Sequence, residues 1–185
     1  MKATLSAVAL SLMLAVPALA KEVAGVNYPD TSTVDGKTLK LNGVGLRKKF
    51  VVKVYTVGLY VENPSKDAAE LISSDQVKRV RMYMLRDLDK KTITEAISDG
   101  FKKNAGAKMA ALQPKLDAFN AAIPDLKKGD ELMLTYVPGK GTEVHSKSGQ
   151  TISVEGKDFA DGLFSVWLGK DPVDGGLKDG LLGKD

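Results

Sequence analysis

The chain has 185 residues, with 27 Lys and Arg against 23 Asp and Glu, one histidine and no cysteine. Without cysteine there is no disulfide, thiolate nucleophile or cysteine-based metal site, and a single imidazole all but excludes histidine-rich metal sites and histidine-paired nucleophiles. The net charge of +4 is spread over interleaved lysines and acids, a mixed polar surface rather than a nucleic-acid stripe.

Met1 to Ala20 carries an early cation, Lys2, then an apolar stretch from Leu5 to Val16, then Ala18-Leu19-Ala20. Small residues at the last and third-last positions fit a signal peptidase, and the apolar stretch is too short to span a bilayer comfortably. The pattern predicts a secretory signal peptide over 1–20, cleaved after Ala20. The mature chain, 21–185, then fits one domain in a periplasmic or secreted location. It is long enough to bury a core without a disulfide or structural metal.

Lys21 to Asp35 is polar and turn-rich. Lys37 to Gly43 alternates and reads as a strand, and the β-branched and aromatic run from Gly45 to Val61 reads as another. Gly58 marks a bend or a close backbone approach in it. Ser65 to Ile72 reads as a short helix capped by Ser65, and Gln76 to Leu85 as a strand with Arg81 and Tyr83 on one face. Thr92-Ile93-Thr94-Glu95 has the form of a capping box, opening a helix that runs to about Asn104. Gly106 interrupts the helical period, which resumes through Leu112, Leu116 and Phe119, with Pro114 starting or kinking the segment. Glu131–Val137, Thr142–Ser146 and Thr151–Val154 read as short strands of a meander, with turns at Pro138–Gly141 and Lys147–Gly149. Asp158 caps a helix over Phe159–Leu168 that ends at Gly169, and Asp174–Leu182 is a last short helix. Strands early and late, with helices between and after them, predict an α+β fold: an antiparallel sheet backed by helices.

The chemistry is sparse. Gly43-Val44-Gly45 leads into a strand, not a helix, so it is no dinucleotide site. His145 reads as a surface or half-buried histidine, and Asp87 and Asp89 as a solvated loop rather than a cation site. No cofactor is implied. What remains is Arg47 with tyrosines. Along an unbroken strand Arg47, Lys53 and Tyr55 share a face, with Tyr60 opposite them unless a bulge intervenes at Gly58. Tyr83 on the neighbouring strand would converge with Arg47 and Tyr55 under the helical layer. A guanidinium ringed by phenols suits an acidic, largely apolar small molecule. The other reading of Arg47 is a strand-end arginine paired with surface carboxylates.

Two blocks carry a resemblance. Leu41 to Pro64 ("LNGVGLRKKFVVKVYTVGLYVENP") and Val154 to Gly183 ("VEGKDFADGLFSVWLGKDPVDGGLKDGLLG"), with Met82 to Phe101 between them, resemble chalcone isomerase-like proteins across nearly the whole mature chain. The resemblance implies an open-faced β-sandwich, a large antiparallel sheet backed by helices with a ligand cleft between. It implies an anion-holding arginine at Arg47 and a polar partner at Tyr55. Members include plant isomerases that cyclise chalcones and proteins of the same fold that bind fatty acids. The tyrosine and asparagine that isomerases place on a helix have no evident counterpart over Thr92–Asn104, and a late polar helix residue near Ser165 or Val166 is unassigned. The expectation is therefore a non-catalytic holder of a fatty acid or similar amphipathic acid, with Arg47, Tyr55, Tyr83 and Tyr60 around it. The alternatives are an isomerase of the chalcone type and an envelope protein-interaction module with a vestigial cleft.

Overall fold

The computed structural model describes residues 20–147 and 151–184; all but Ala20 of the leader expected over 1–20, and the centre of the turn at Lys147–Gly149, lie outside them. Strands β1 (Ala20–Val23) and β2 (Val26–Pro29) form a separate hairpin. β3 (Thr31–Val34), β4 (Lys37–Lys49), β5 (Val52–Val61), β6 (Lys78–Met84), β7 (Glu131–Val137), β8 (Gly141–Ser146) and β9 (Ile152–Val154) form one antiparallel sheet of seven strands in sequence order. The first three strands come from or border the segment read as turn-rich. Their short connection at Asp35-Gly36, with both φ angles positive, is the Asp-Gly hairpin signal between β3 and β4.

The stretch from Gly45 to Val61 is not one strand. It turns back at Phe50-Val51, so its first five residues extend β4 and the rest is β5. The periodicity hides this turn because no glycine, proline or asparagine marks it. Phe50 instead adopts φ 56°, a left-handed conformation unusual for a bulky residue. Arg47 and Tyr55 consequently share a face as direct cross-strand partners, not as residues of equal parity along one strand.

Helices α1 (Ala68–Ser73), α2 (Lys90–Ala105), α3 (Met109–Ala122), α4 (Lys157–Leu168) and α5 (Gly175–Leu181) accompany the sheet, with a 3-10 turn at Gly106–Lys108 joining α2 to α3. Three caps differ from expectation, the third being that of α4, where Asp158 was expected. Asp67, not Ser65, caps α1, and Asp89, not Thr92, caps α2 by accepting from the Thr92 amide at 2.7 Å. A carboxylate outcompetes a hydroxyl at an N-terminus because the helix dipole favours its charge. Pro114 lies inside α3. Gly156 occupies the N-cap of α4, while the Asp158 side chain accepts from the Phe159 amide and pairs with Lys115.

The sheet is covered unequally. On one face Val57, Leu59, Val80, Met82, Leu132 and Leu134 are buried with Phe101, Phe119, Phe159 and Trp167 from the helices. α4 is buried on almost every side and forms the centre of the helical layer. The other face packs Tyr28, Leu39, Val44, Tyr60 and Val77 in a smaller cluster. Here the Tyr28 ring lies on Gly58, where a β-carbon would stand 2.4 Å from Tyr28 Cδ1, so Gly58 is a close approach and not a bulge. The Tyr28 hydroxyl meets Thr56 Oγ1 at 2.7 Å.

One buried cation was not expected. Lys78 is fully buried on the helix side, and its Nζ donates to the carbonyls of Leu71, Ile72 and Ser74 at 3.1, 2.7 and 3.1 Å. It closes the C-terminus of α1, where carbonyls lack helical partners and the dipole favours positive charge. The rings of Tyr136 and Phe164 flank it at 5.5 and 5.2 Å. Burial pushes its pKa down to about 8, with Asp161 and Asp75 partly offsetting this.

Candidate functional site

The site begins with two glycines. At Gly43 a β-carbon would stand 2.2 Å from the Gly180 carbonyl oxygen, and at Gly45 it would stand 2.5 Å from that of Leu177. Only bare backbone lets α5 lie this close on β4. That contact brings the N-cap of α5, Asp174, beside Arg47. Asp174 Oδ1 accepts from the Leu177 amide at 2.9 Å, while Oδ2 accepts from the Lys48 amide at 3.3 Å and from Arg47 Nη1 at 3.2 Å. Burial would raise the Asp174 carboxyl, but the hydrogen bonds from Leu177, Lys48 and Arg47 outweigh it and hold its pKa below the ordinary value. Arg47 Nη1 also donates to the Lys48 carbonyl at 2.6 Å.

Beside this pair is a cavity of about 310 Å³ between sheet and helices. Arg47, Val54, Tyr55, Met82 and Met84 line it from the sheet, Thr92, Ile93, Ala96 and Ile97 from α2, and Val166 and Trp167 from α4. Leu88, Val173, Lys49 and Glu95 complete it. Most of the wall is apolar, and its polar side chains are Arg47 and Tyr55 with Lys49, Thr92 and Glu95. Burial raises the Tyr55 phenol, while the Trp167 indole and the Arg47 guanidinium partly lower it, so Tyr55 stays protonated and can donate. Trp167 is 1% exposed, and its Nε1 is buried without a hydrogen-bond partner among the described residues. Buried donors of this kind are rare in folded proteins. The Arg47 guanidinium and the Tyr55 phenol thus line the cavity together, with the Trp167 indole N–H buried next to the Tyr55 hydroxyl.

The four expected residues divide. Arg47 and Tyr55 are Cα partners on the cavity side. Lys48, Lys49 and Lys53 are exposed. Tyr83 and Tyr60 do not join Arg47 and Tyr55. Tyr83 pairs with Thr56, so it faces the opposite side of the sheet and packs in the smaller cluster, where Tyr60 is buried. The cause is strand alternation: Met84, not Tyr83, stands opposite Tyr55. Arg81 is likewise on that far side, bonded to Glu131 and stacked 5.1 Å from the Tyr28 ring.

Sequence reading missed Trp167, which its helical period marked only as core, and Asp174, which it marked only as a helix start. Two further polar side chains of these helices are engaged elsewhere. Asn104 spans α2 and the loop before α5, donating to the Gly100 and Asp171 carbonyls at 2.8 and 3.0 Å. Ser165 donates to Gly162 within its own helix at 2.5 Å. Neither lines the cavity. His145 lies on the surface beside Thr151, Asp87 pairs with Lys127, and no cluster of metal-binding side chains occurs among the described residues. A wider, more open depression of about 1110 Å³ lies among α1, the α2–α3 junction and the C-terminal segment, lined by Lys66, Lys103, Lys108, Lys170, Lys178 and Lys184 with several acids.

Comparison with solved structures finds a fatty-acid binding protein of Arabidopsis thaliana with a TM-score of 0.68 and 20% sequence identity, covering 89% of this chain and 95% of that one. At that identity the likeness speaks to the fold, which is that of a curled antiparallel sheet with helices. No curated protein sequence matches significantly. The chalcone isomerase-like family profile matches residues 20–183, the whole of the sheet and helical layer described above. The chain therefore belongs to the chalcone isomerase-like family.

Proposed function

We propose that this protein binds a fatty acid or similar amphipathic carboxylate without transforming it, with the carboxylate at Arg47 and Tyr55 and the chain along Met82, Met84, Ile93 and Ile97. The observation that carries this reading is the Arg47 guanidinium beside the Tyr55 phenol in a cavity whose wall is mostly apolar. An oxyanion can accept from both donors, and an apolar tail suits the apolar wall. The Arabidopsis relative in fold, named as a fatty-acid binding protein, supports the same class of ligand. At roughly 30 Å³ for a water-sized group, the cavity holds a tail of about ten heavy atoms, the scale of decanoate. On α2 the cavity-facing side chains are Thr92, Ile93, Glu95, Ala96 and Ile97, with no phenol or amide to share catalysis with Arg47.

Isothermal titration with decanoate, together with native mass spectrometry of the purified protein, tests this. Binding that falls at least tenfold in Arg47→Ala is expected, since hydrogen bonds to charged groups contribute about 1.5–3 kcal/mol. No co-purified acyl ligand and no binding of added acid would overturn it. The reading places the protein in the periplasm or outside the cell after loss of 1–20. The family match starts at residue 20, in keeping with a leader ahead of the fold. Mass spectrometry of protein exported from an expressing bacterium should give an N-terminus at Lys21. Retention of Met1 would refute export by cleavage.

A further inference from the structure

The turn between β4 and β5 is anomalous for a soluble surface. Phe50 and Val51 are 92% and 93% exposed and Val52 is 41% exposed. Among the described residues these are the large apolar side chains left in solvent, and they are consecutive. Scattered exposed apolar residues need no explanation, but a contiguous group marks contact with something. The backbone is strained to present them, because Phe50 holds φ 56° at the apex.

The charges around the apex point the same way. Lys48 and Lys53 are direct cross-strand partners, and Lys49 stands opposite Val52. Like charges facing one another across a hairpin are unfavourable. None of these three ammonium groups has a carboxylate partner among the described ion pairs, so all three stand free beside the apolar apex. Asp174 is already engaged with Arg47, and Glu95 stands 3.9 Å from Lys91. A convex apolar apex collared by unpaired lysines suits insertion among acyl chains with the ammonium groups at the phosphate level. It suits a protein partner less well, because lysine is depleted from protein interfaces.

We propose that the β4–β5 apex, Lys48–Lys53, docks on an anionic lipid surface and sets the cavity mouth against the bilayer. Lys49 and Val54 line the cavity and flank the apex, so an amphipathic acid could pass between membrane and cavity along the hairpin. The docking stands on the apex alone; the passage of ligand rests on the function proposed above.

Vesicle flotation tests it with phosphatidylcholine vesicles, with and without added phosphatidylglycerol. Wild type and variants are compared at the same determined N-terminus. Wild type should bind the anionic vesicles roughly tenfold or more above the neutral ones, with binding weakened by salt. Phe50→Asp with Val51→Asp should abolish flotation. Phe50→Asn, which accepts a left-handed φ more readily than Phe, should weaken it with the turn intact. Both variants should still bind decanoate in solution, which shows that they fold. No flotation of wild type, equal binding to both vesicle types, or undiminished flotation of the variants would overturn the docking. Flotation without decanoate binding by wild type would uphold the docking and overturn the cavity reading.

Discussion

Arg47 stands in two relations at once. It is the strand-end arginine paired with a carboxylate, through Asp174, and it lines the cavity. A ligand carboxylate there must share the guanidinium with an existing counter-ion. Asp174→Asn keeps the oxygen that caps α5 but removes the competing charge. It should tighten decanoate binding by about 1 kcal/mol, roughly fivefold, as read by titration. Removing the charge should also change acid stability. The folded-state pKa of Asp174 is depressed below 3.8, so its contribution is present above that value and lost as pH falls through the folded one. Urea midpoints should therefore differ between wild type and Asp174→Asn at neutral pH, with the difference shrinking below about pH 4.

At the scale of elements, the β4–α5 contact and the α1 terminus carry the testable weight. Gly45→Ala places a methyl against the backbone of Leu177. Overpacking of this kind typically costs about 1–3 kcal/mol. The upper part of that range is expected, measured by denaturant unfolding, because backbone cannot rotate away as a side chain can. Lys78 gives a pH signature. Its folded pKa of about 8 is below the ordinary 10.5, so between those values the unfolded chain holds the proton more tightly. Stability should rise with pH across that window, by on the order of 2–3 kcal/mol near its top. Lys78→Met should lack this component. The tyrosines act in the opposite sense only above pH 10, since burial pushes Tyr28 up to about 12 and the unfolded phenol then loses its proton first. Unfolding midpoints measured from neutral pH to just below 10 isolate the lysine.

For the molecule as a whole, binding should appear as stabilisation. Ligand at a hundredfold excess over its Kd stabilises by about 2.7 kcal/mol. In a domain of this size that corresponds to roughly 5–10 °C in Tm. Decanoate should raise the melting temperature more than hexadecanoate in a thermal scan, because the cavity of about 310 Å³ cannot enclose the longer tail. The α+β architecture, the helix over Phe159–Leu168 and the three late strands were legible in the residues, because local periodicity reflects which face is buried. Tyr60 and Tyr83 were placed wrongly because the face a strand residue takes depends on register with its neighbour, and a one-residue difference reverses it. The hairpin at Phe50-Val51 escaped because its turn uses strain in place of turn-forming residues. Trp167 gave no local signal at all. Its helical spacing marks it as core, and only the tertiary packing of α4 brings its indole beside Tyr55 at the cavity. Composition and periodicity were enough for the fold class and the absence of thiol chemistry, since both depend on residue type and nearest neighbours. The polar end of the cavity joins residues from β4, β5, α4 and the α5 cap, and long-range packing alone brings them together.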